Sequence, residues 1–160
     1  MRNVDEITGA VINCALDIHR RLGPGLLESV YELVLCRKLE QLGFIVDRQV
    51  PVSFEFDGLQ FKDAFRMDIL VDRRVVVELK STERNNPVYA KQLKTYLVLS
   101  GMNVGLLINF GMATLKEGLQ RVVNGLDQKL SILAVNRHQD STSSNLRDSA
   151  SPREEDRHKE

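Results

Sequence analysis

A sheet with helices packed against it, of the α/β or α+β class, is the fold the sequence predicts. Three observations point there. Two helical periodicities open the chain, strand-like segments joined by a tight turn follow, and a further helix leads into a short apolar strand. At 160 residues, 42% hydrophobic and 28% charged, the chain has room for one ordinary domain with its own core.

The elements follow in order. "VDEITGAVINCALDIHRRLG" places Val4, Ile7, Val11, Ala15, Ile18 and Leu22 at helical spacing, with Gly23 as a stop. "GLLESVYELVLCRKLEQLG" repeats the pattern through Leu27, Val30, Tyr31, Val34, Leu35 and Leu42, and ends at Gly43. "GPG" between them makes a tight helix–helix corner. "FIVDRQVPVSFEF", the turn Asp57-Gly58, "LQFKDAFRMDILV" and "VVVELK" read as an antiparallel meander. "PVYAKQLKTYLVLSG" is a helix begun by Pro87 and stopped by Gly101. "VGLLINF" is a buried strand, "TLKEGLQRVVNGL" a helix, and "KLSILAV" a candidate last strand.

Composition shifts abruptly near Arg137. The segment from there holds one Leu and no aromatic residue, too little apolar surface to offset its ordering entropy. One domain is therefore expected over residues 1–136 and a disordered polar tail over 137–160. Net charge is zero, from 22 basic and 22 acidic residues, which argues against attachment to nucleic acid or membrane by bulk charge but leaves room for a local basic groove. No apolar run reaches membrane-spanning length and "MRNVDEITGA" has no apolar signal core, so a cytoplasmic protein with no membrane partner is expected. Cys14 and Cys36, outside any CxxC or Cys/His cluster, read as reduced core thiols.

The strand "VVVELK" poses the chemical question. Three valines favour a strand packed on both faces, yet Glu78 and Lys80 follow within it, and an unpaired buried charge costs several kcal/mol at least. Alternation puts Glu78 and Lys80 on one face, roughly 6.5–7 Å apart, with Val75, Val77 and Leu79 on the other. Asp68, between Met67 and Ile69, is a second misplaced charge. If residues 72–74 form the hairpin loop, Val71 pairs with Val75 and Asp68 falls opposite Glu78; a two-residue loop would send the carboxylates to different faces. Two adjacent carboxylates repel unless a proton or cation intervenes, and a hard divalent ion resolves that conflict. Lys80 beside it would orient or deprotonate a water, or stabilise phosphate charge. The plainer alternative is an Asp68–Lys80 or Glu78–Lys80 salt bridge on a solvated face.

Asp68, nine intervening residues and then Glu78-Leu79-Lys80 resemble the core motif of the PD-(D/E)XK nuclease superfamily, with Met67 where the motif name has proline. Gly25-x-x-Glu28-x-x-Tyr31 resembles the signature of the small bacterial GxxExxY proteins of that superfamily. Gln92-x-x-x-Tyr96 is similar to the QxxxY motif of helicase-associated members, and "GLLINFG" to the strand that follows it. The matches run in family order from about Glu6 to Leu126. The resemblance implies a restriction-endonuclease-like core, a central mixed sheet of four strands or slightly more flanked by helices. It implies Mg²⁺, with Mn²⁺ as substitute, on Asp68, Glu78, the Leu79 carbonyl and Glu28. Lys80 would be the catalytic lysine, and Gln92 would join Glu28 in lining the site. Tyr31, Arg66 and Tyr96 are candidate substrate contacts, although packing is the duller role for Tyr31 and solvation for Lys91 and Lys94. His19 reads as structural.

The implied activity is a metal-dependent phosphodiesterase on nucleic acid, DNA before RNA, through a metal-activated water. The alternative is a non-catalytic nucleic-acid-binding or assembly module that keeps the fold. Zero net charge leaves the DNA-gripping surface unexplained, so a homodimer or a partner protein would supply it. A nucleotide hydrolase is disfavoured because no GxxxxGK loop is present.

Overall fold

The computed structural model describes residues 1–125; the strand expected in "KLSILAV" and the expected tail lie outside the described residues. Helix α1 spans Val4–Leu22. Asn3 caps it by accepting from the Glu6 amide while the Glu6 carboxylate takes the Asn3 N–H. Gly23, at φ +72, ends it. Helix α2 spans Glu28–Gln41 and has no side-chain cap, only Glu28 in its first turn. Strands β1 (Val46–Phe56) and β2 (Leu59–Val71) form a hairpin around Asp57 and Gly58, both at positive φ as the mirror-image turn requires. Strand β3 spans Val75–Lys80, helix α3 Pro87–Ser100, and strand β4 Val104–Asn109. Asn86 caps α3 ahead of Pro87, and Gly101 stops it in the left-handed conformation.

The segment expected as a helix after Gly111 differs. Only Leu115–Gly118 makes a helical turn, α4, and Leu119–Val123 forms strand β5. β5 pairs antiparallel along β4, from Val104↔Val123 to Ile108↔Leu119, which satisfies backbone groups that β4 would otherwise leave open. In so short a stretch apolar spacing fits either period, and the free sheet edge decides.

The strands lie in sequence order in a mixed five-stranded sheet. β3 and β4 run parallel through the α3 crossover, and all other neighbours are antiparallel. The β2–β3 register is Val71↔Val75, Leu70↔Val76 and Ile69↔Val77, as the three-residue loop predicts. Period-two alternation gives two cores. On one face Ile69, Val71, Val75, Val77 and Leu79 meet Ile7, Val11 and Ile18 of α1 and Tyr31, Leu35 and Leu39 of α2. On the other, Leu70, Val76 and Leu107 meet Leu93 and Leu97 of α3. The α2 stripe lies one step from the expected one: Leu27, Val30 and Leu42 are exposed, and Glu32 and Cys36 are buried instead. Cys14 and Cys36 are buried and unpaired, and burial pushes the Cys36 thiol up to about 12.

Beyond Asp68 the long hairpin leaves β3 behind. Its far half is a two-stranded ribbon stiffened by a Phe54–Phe61 stack at 4.9 Å, with Phe56 and Leu59 exposed near the tip. No helix of the described residues is long and apolar enough to cross a membrane.

Gly9 sits inside α1 at negative φ, and a Cβ added there meets nothing within 4 Å. Gly9→Ala is expected to stabilise the protein by about 0.5–1 kcal/mol, read as a raised midpoint in denaturant unfolding.

Candidate active site

The site forms where β2 and β3 part. The ladder stops at Ile69↔Val77, and at the next position the Asp68 side chain replaces the strand: its Oδ2 accepts the Leu79 N–H at 2.8 Å. This anchors Asp68 beside Glu78, as the register requires. Glu78 is 5% exposed, and its Oε1 accepts from Lys80 Nζ at 2.8 Å. Its Oε2 is buried and has no hydrogen-bond partner among the described residues. A buried carboxylate oxygen without a donor is costly, so a group outside the chain is the natural partner.

The electrostatics agree with that geometry. Burial raises the Glu78 pKa, and the neighbouring Asp68 charge raises it further. Burial also raises the pKa of Asp68, partly opposed by the Leu79 N–H and by Lys80. Burial alone would lower the pKa of Lys80, but the bond to Glu78 and the surrounding carboxylates outweigh it, and the net direction is upward. In the metal-free site Lys80 therefore holds its proton more tightly than a free lysine does. Its Nζ lies 5.2 Å from the Tyr89 ring centroid.

Glu28 reaches the site from α2. Its Oε1 accepts from the Ser81 amide at 3.3 Å, just after β3, and its charge is felt by Asp68, Glu78 and Lys80. Gly25, at φ +102, makes the turn that presents Glu28, a conformation that side chains rarely adopt. Together with Glu32, Gln49, Asp68 and Ser81 these residues line a cleft of about 670 Å³.

From the opposite face, Gln92 Nε2 donates to the Tyr96 hydroxyl at 2.8 Å, and Tyr96 stacks on Phe65 at 4.0 Å. The Tyr96 phenol is raised by burial and then by the Glu78 charge. Gln92 makes no hydrogen bond to either carboxylate among the described residues. Arg66 is exposed and, among the described residues, donates only to the Gln49 carbonyl, at 3.4 Å. Tyr31 needs correction. It has no exposed surface, stacks on Phe110 at 4.3 Å, and its hydroxyl donates to the Gly23 carbonyl at 2.6 Å while accepting from the Leu26 N–H. It shapes the loop that carries Glu28 and cannot touch a substrate. His19 is structural as expected, with Nε2 2.9 Å from the Met112 carbonyl.

Two cleft residues escape the sequence reading. Glu32 is buried, with Oε1 bonded to Arg48 Nε at 2.8 Å and Oε2 to Gln49 Nε2 at 2.9 Å. It stands one helical turn after Glu28, a spacing that marks a shared face. Gln49 carries no comparable sequence signal.

Among the described residues no three His, Cys, Asp or Glu side chains close into a ready-made metal cage. A hard divalent ion that keeps several waters needs fewer protein ligands. Glu78 Oε2, without a partner among the described residues, and Asp68 Oδ1, 3.5 Å from Gln49 Nε2, supply oxygen donors of the right kind. The residues fit such an ion. A family model described as the PD-(D/E)XK nuclease superfamily matches residues 5–122. Comparison with curated proteins and with solved structures finds no match.

Proposed function

Because this chain belongs to the PD-(D/E)XK nuclease superfamily, we propose that it is a divalent-metal-dependent phosphodiesterase acting on nucleic acid, with DNA the first substrate to test. The Gly25-x-x-Glu28-x-x-Tyr31 signature supports its placement among the GxxExxY members. The observation that carries the reading is the buried Glu78 Oε2, without a hydrogen-bond partner among the described residues, on a carboxylate whose other oxygen is bonded to Lys80 and which feels the Asp68 charge.

In this reading Asp68, Glu78 and the Leu79 carbonyl hold Mg²⁺ or Mn²⁺, with Glu28 joining directly or through water. Bound there, the ion would supply Lewis acidity toward the phosphate and the attacking water. The chain's own groups do the rest. The Leu79 N–H fixes the Asp68 carboxylate so that its other oxygen faces the cleft. Lys80, oriented by its bond to Glu78, would offer positive charge where the phosphate gains negative charge. The linked Gln92 and Tyr96, on α3, would line the site and meet the substrate strand.

The test is incubation of the purified chain with single- and double-stranded DNA and RNA, with Mg²⁺ or Mn²⁺ and with chelator. Cleavage that needs the metal is expected. No cleavage of any substrate, together with no Mn²⁺ uptake by calorimetry at millimolar metal, would leave the non-catalytic binding module as the function.

A further inference from the structure

Gln49 lies inside β1 at φ +49, left-handed backbone that a glutamine rarely adopts. The register on either side is unbroken, Arg48 opposite Ile69 and Val50 opposite Met67, so no inserted residue explains the kink. That register sets Gln49 across from Asp68. The kink accompanies a specific side-chain placement: Nε2 donates to Glu32 Oε2 at 2.9 Å and stands 3.5 Å from Asp68 Oδ1. Glu32 is an anchored support, 7% exposed, with its other oxygen held by Arg48. A residue in so strained a conformation persists only where its surroundings over-determine it, and such residues cluster at working sites.

We propose that Gln49 is a positioning residue which, braced on Glu32, aims the Asp68 carboxylate at a bound divalent cation. The proposal rests on the nuclease reading of the site. Leu79 restrains one Asp68 oxygen through its N–H, and the carboxamide of Gln49 restrains the other. A neutral amide suits this task because it orients the carboxylate without cancelling the charge the cation needs. Arg48, the adjacent cation, is turned onto Glu32 and makes no bond to Asp68.

The experiment compares Gln49→Gly and Gln49→Ala in the full chain, by Mn²⁺ calorimetry and thermal melting. Both variants lack the carboxamide, but glycine adopts positive φ freely and alanine keeps the strain. Both are expected to bind Mn²⁺ about tenfold more weakly than the parent, although Gln49→Gly melts higher than Gln49→Ala. A role confined to the backbone predicts that affinity follows melting temperature and that Gln49→Gly binds like the parent; that result overturns the proposal. So does unchanged affinity in both variants. If the parent itself takes up no Mn²⁺, the nuclease reading of the site falls first and the positioning role falls with it.

Discussion

Asp68→Asn is expected to abolish metal-dependent cleavage while leaving the metal-free protein at least as heat-stable as its parent. The substitution is isosteric and keeps an oxygen to accept the Leu79 N–H, so the anchoring bond at 2.8 Å survives. What disappears is a negative charge crowded against Glu78. Loss of several kcal/mol of Lewis-acid stabilisation corresponds to a rate drop of about a thousandfold or more. The stability effect follows from the raised Asp68 pKa. The folded protein holds that proton more tightly than the unfolded chain does, so the group stabilises the fold when protonated and loses that contribution as pH rises through the folded pKa. The advantage of asparagine should therefore be absent in acid and grow toward neutral pH. Cleavage assays with Mg²⁺ and melting curves at acid and neutral pH check both halves. A variant that still cuts removes Asp68 from the chemistry. A variant that melts lower only at neutral pH shows that the protein itself offsets the charge.

Gly111→Ala is expected to cost about 1–3 kcal/mol, seen as a melting temperature lower by roughly 5–15 °C, and to impair cleavage as well. The cause lies in the segment after Lys80. Asn109, at the end of β4 and 1% exposed, accepts from the Thr82 and Gly111 amides through Oδ1 and donates to Thr82 Oγ1 and Asn85 Oδ1 through Nδ2. Three of these four bonds pin residues 82–85 against the sheet, and the fourth ties in Gly111. A Cβ on Gly111 would stand 2.5 Å from the Thr82 nitrogen and 2.6 Å from its carbonyl carbon, both backbone atoms with no rotamer to give way. The segment must lift, and the Ser81 amide that holds Glu28 moves with it. Gly118→Ala strikes the same assembly from the other side, against the Asn109 carbonyl. Thermal melts of the two variants against Gly9→Ala separate this close packing from the general effect of adding a methyl group. A Gly111→Ala protein with parental stability would mean that residues 81–86 yield easily.

Much of this was legible before any coordinates. Asp68, Glu78 and Lys80 stood out because charge inside a valine-rich strand is expensive, and strand alternation with a three-residue loop left one register that joined them. The helix limits at Gly23, Pro87 and Gly101 were legible because those residues have local conformational reasons to sit there. The strand Leu119–Val123 was not, since a tertiary partner and not local preference determines it. Tyr31 carried two readings, substrate contact and packing, and the motif alone could not separate them because burial is invisible in it. Glu32 could have been found from its spacing to Glu28. Gln49 could not, because a glutamine in left-handed backbone leaves no trace in composition or period.

The Phe54–Phe61 ribbon carries a dynamic consequence. Two strands without a third rarely hold together for long in water, so amide protons near the ribbon tip should exchange through brief local openings. Those of Val75–Leu79, enclosed on both faces, should wait for global unfolding. Asp68 sits at the boundary between these two regimes, on the same strand as the ribbon's root. Each fluctuation of the tip therefore pulls on a strand whose other end is held inside the sheet, and the Asp68 carboxylate lies near the fulcrum.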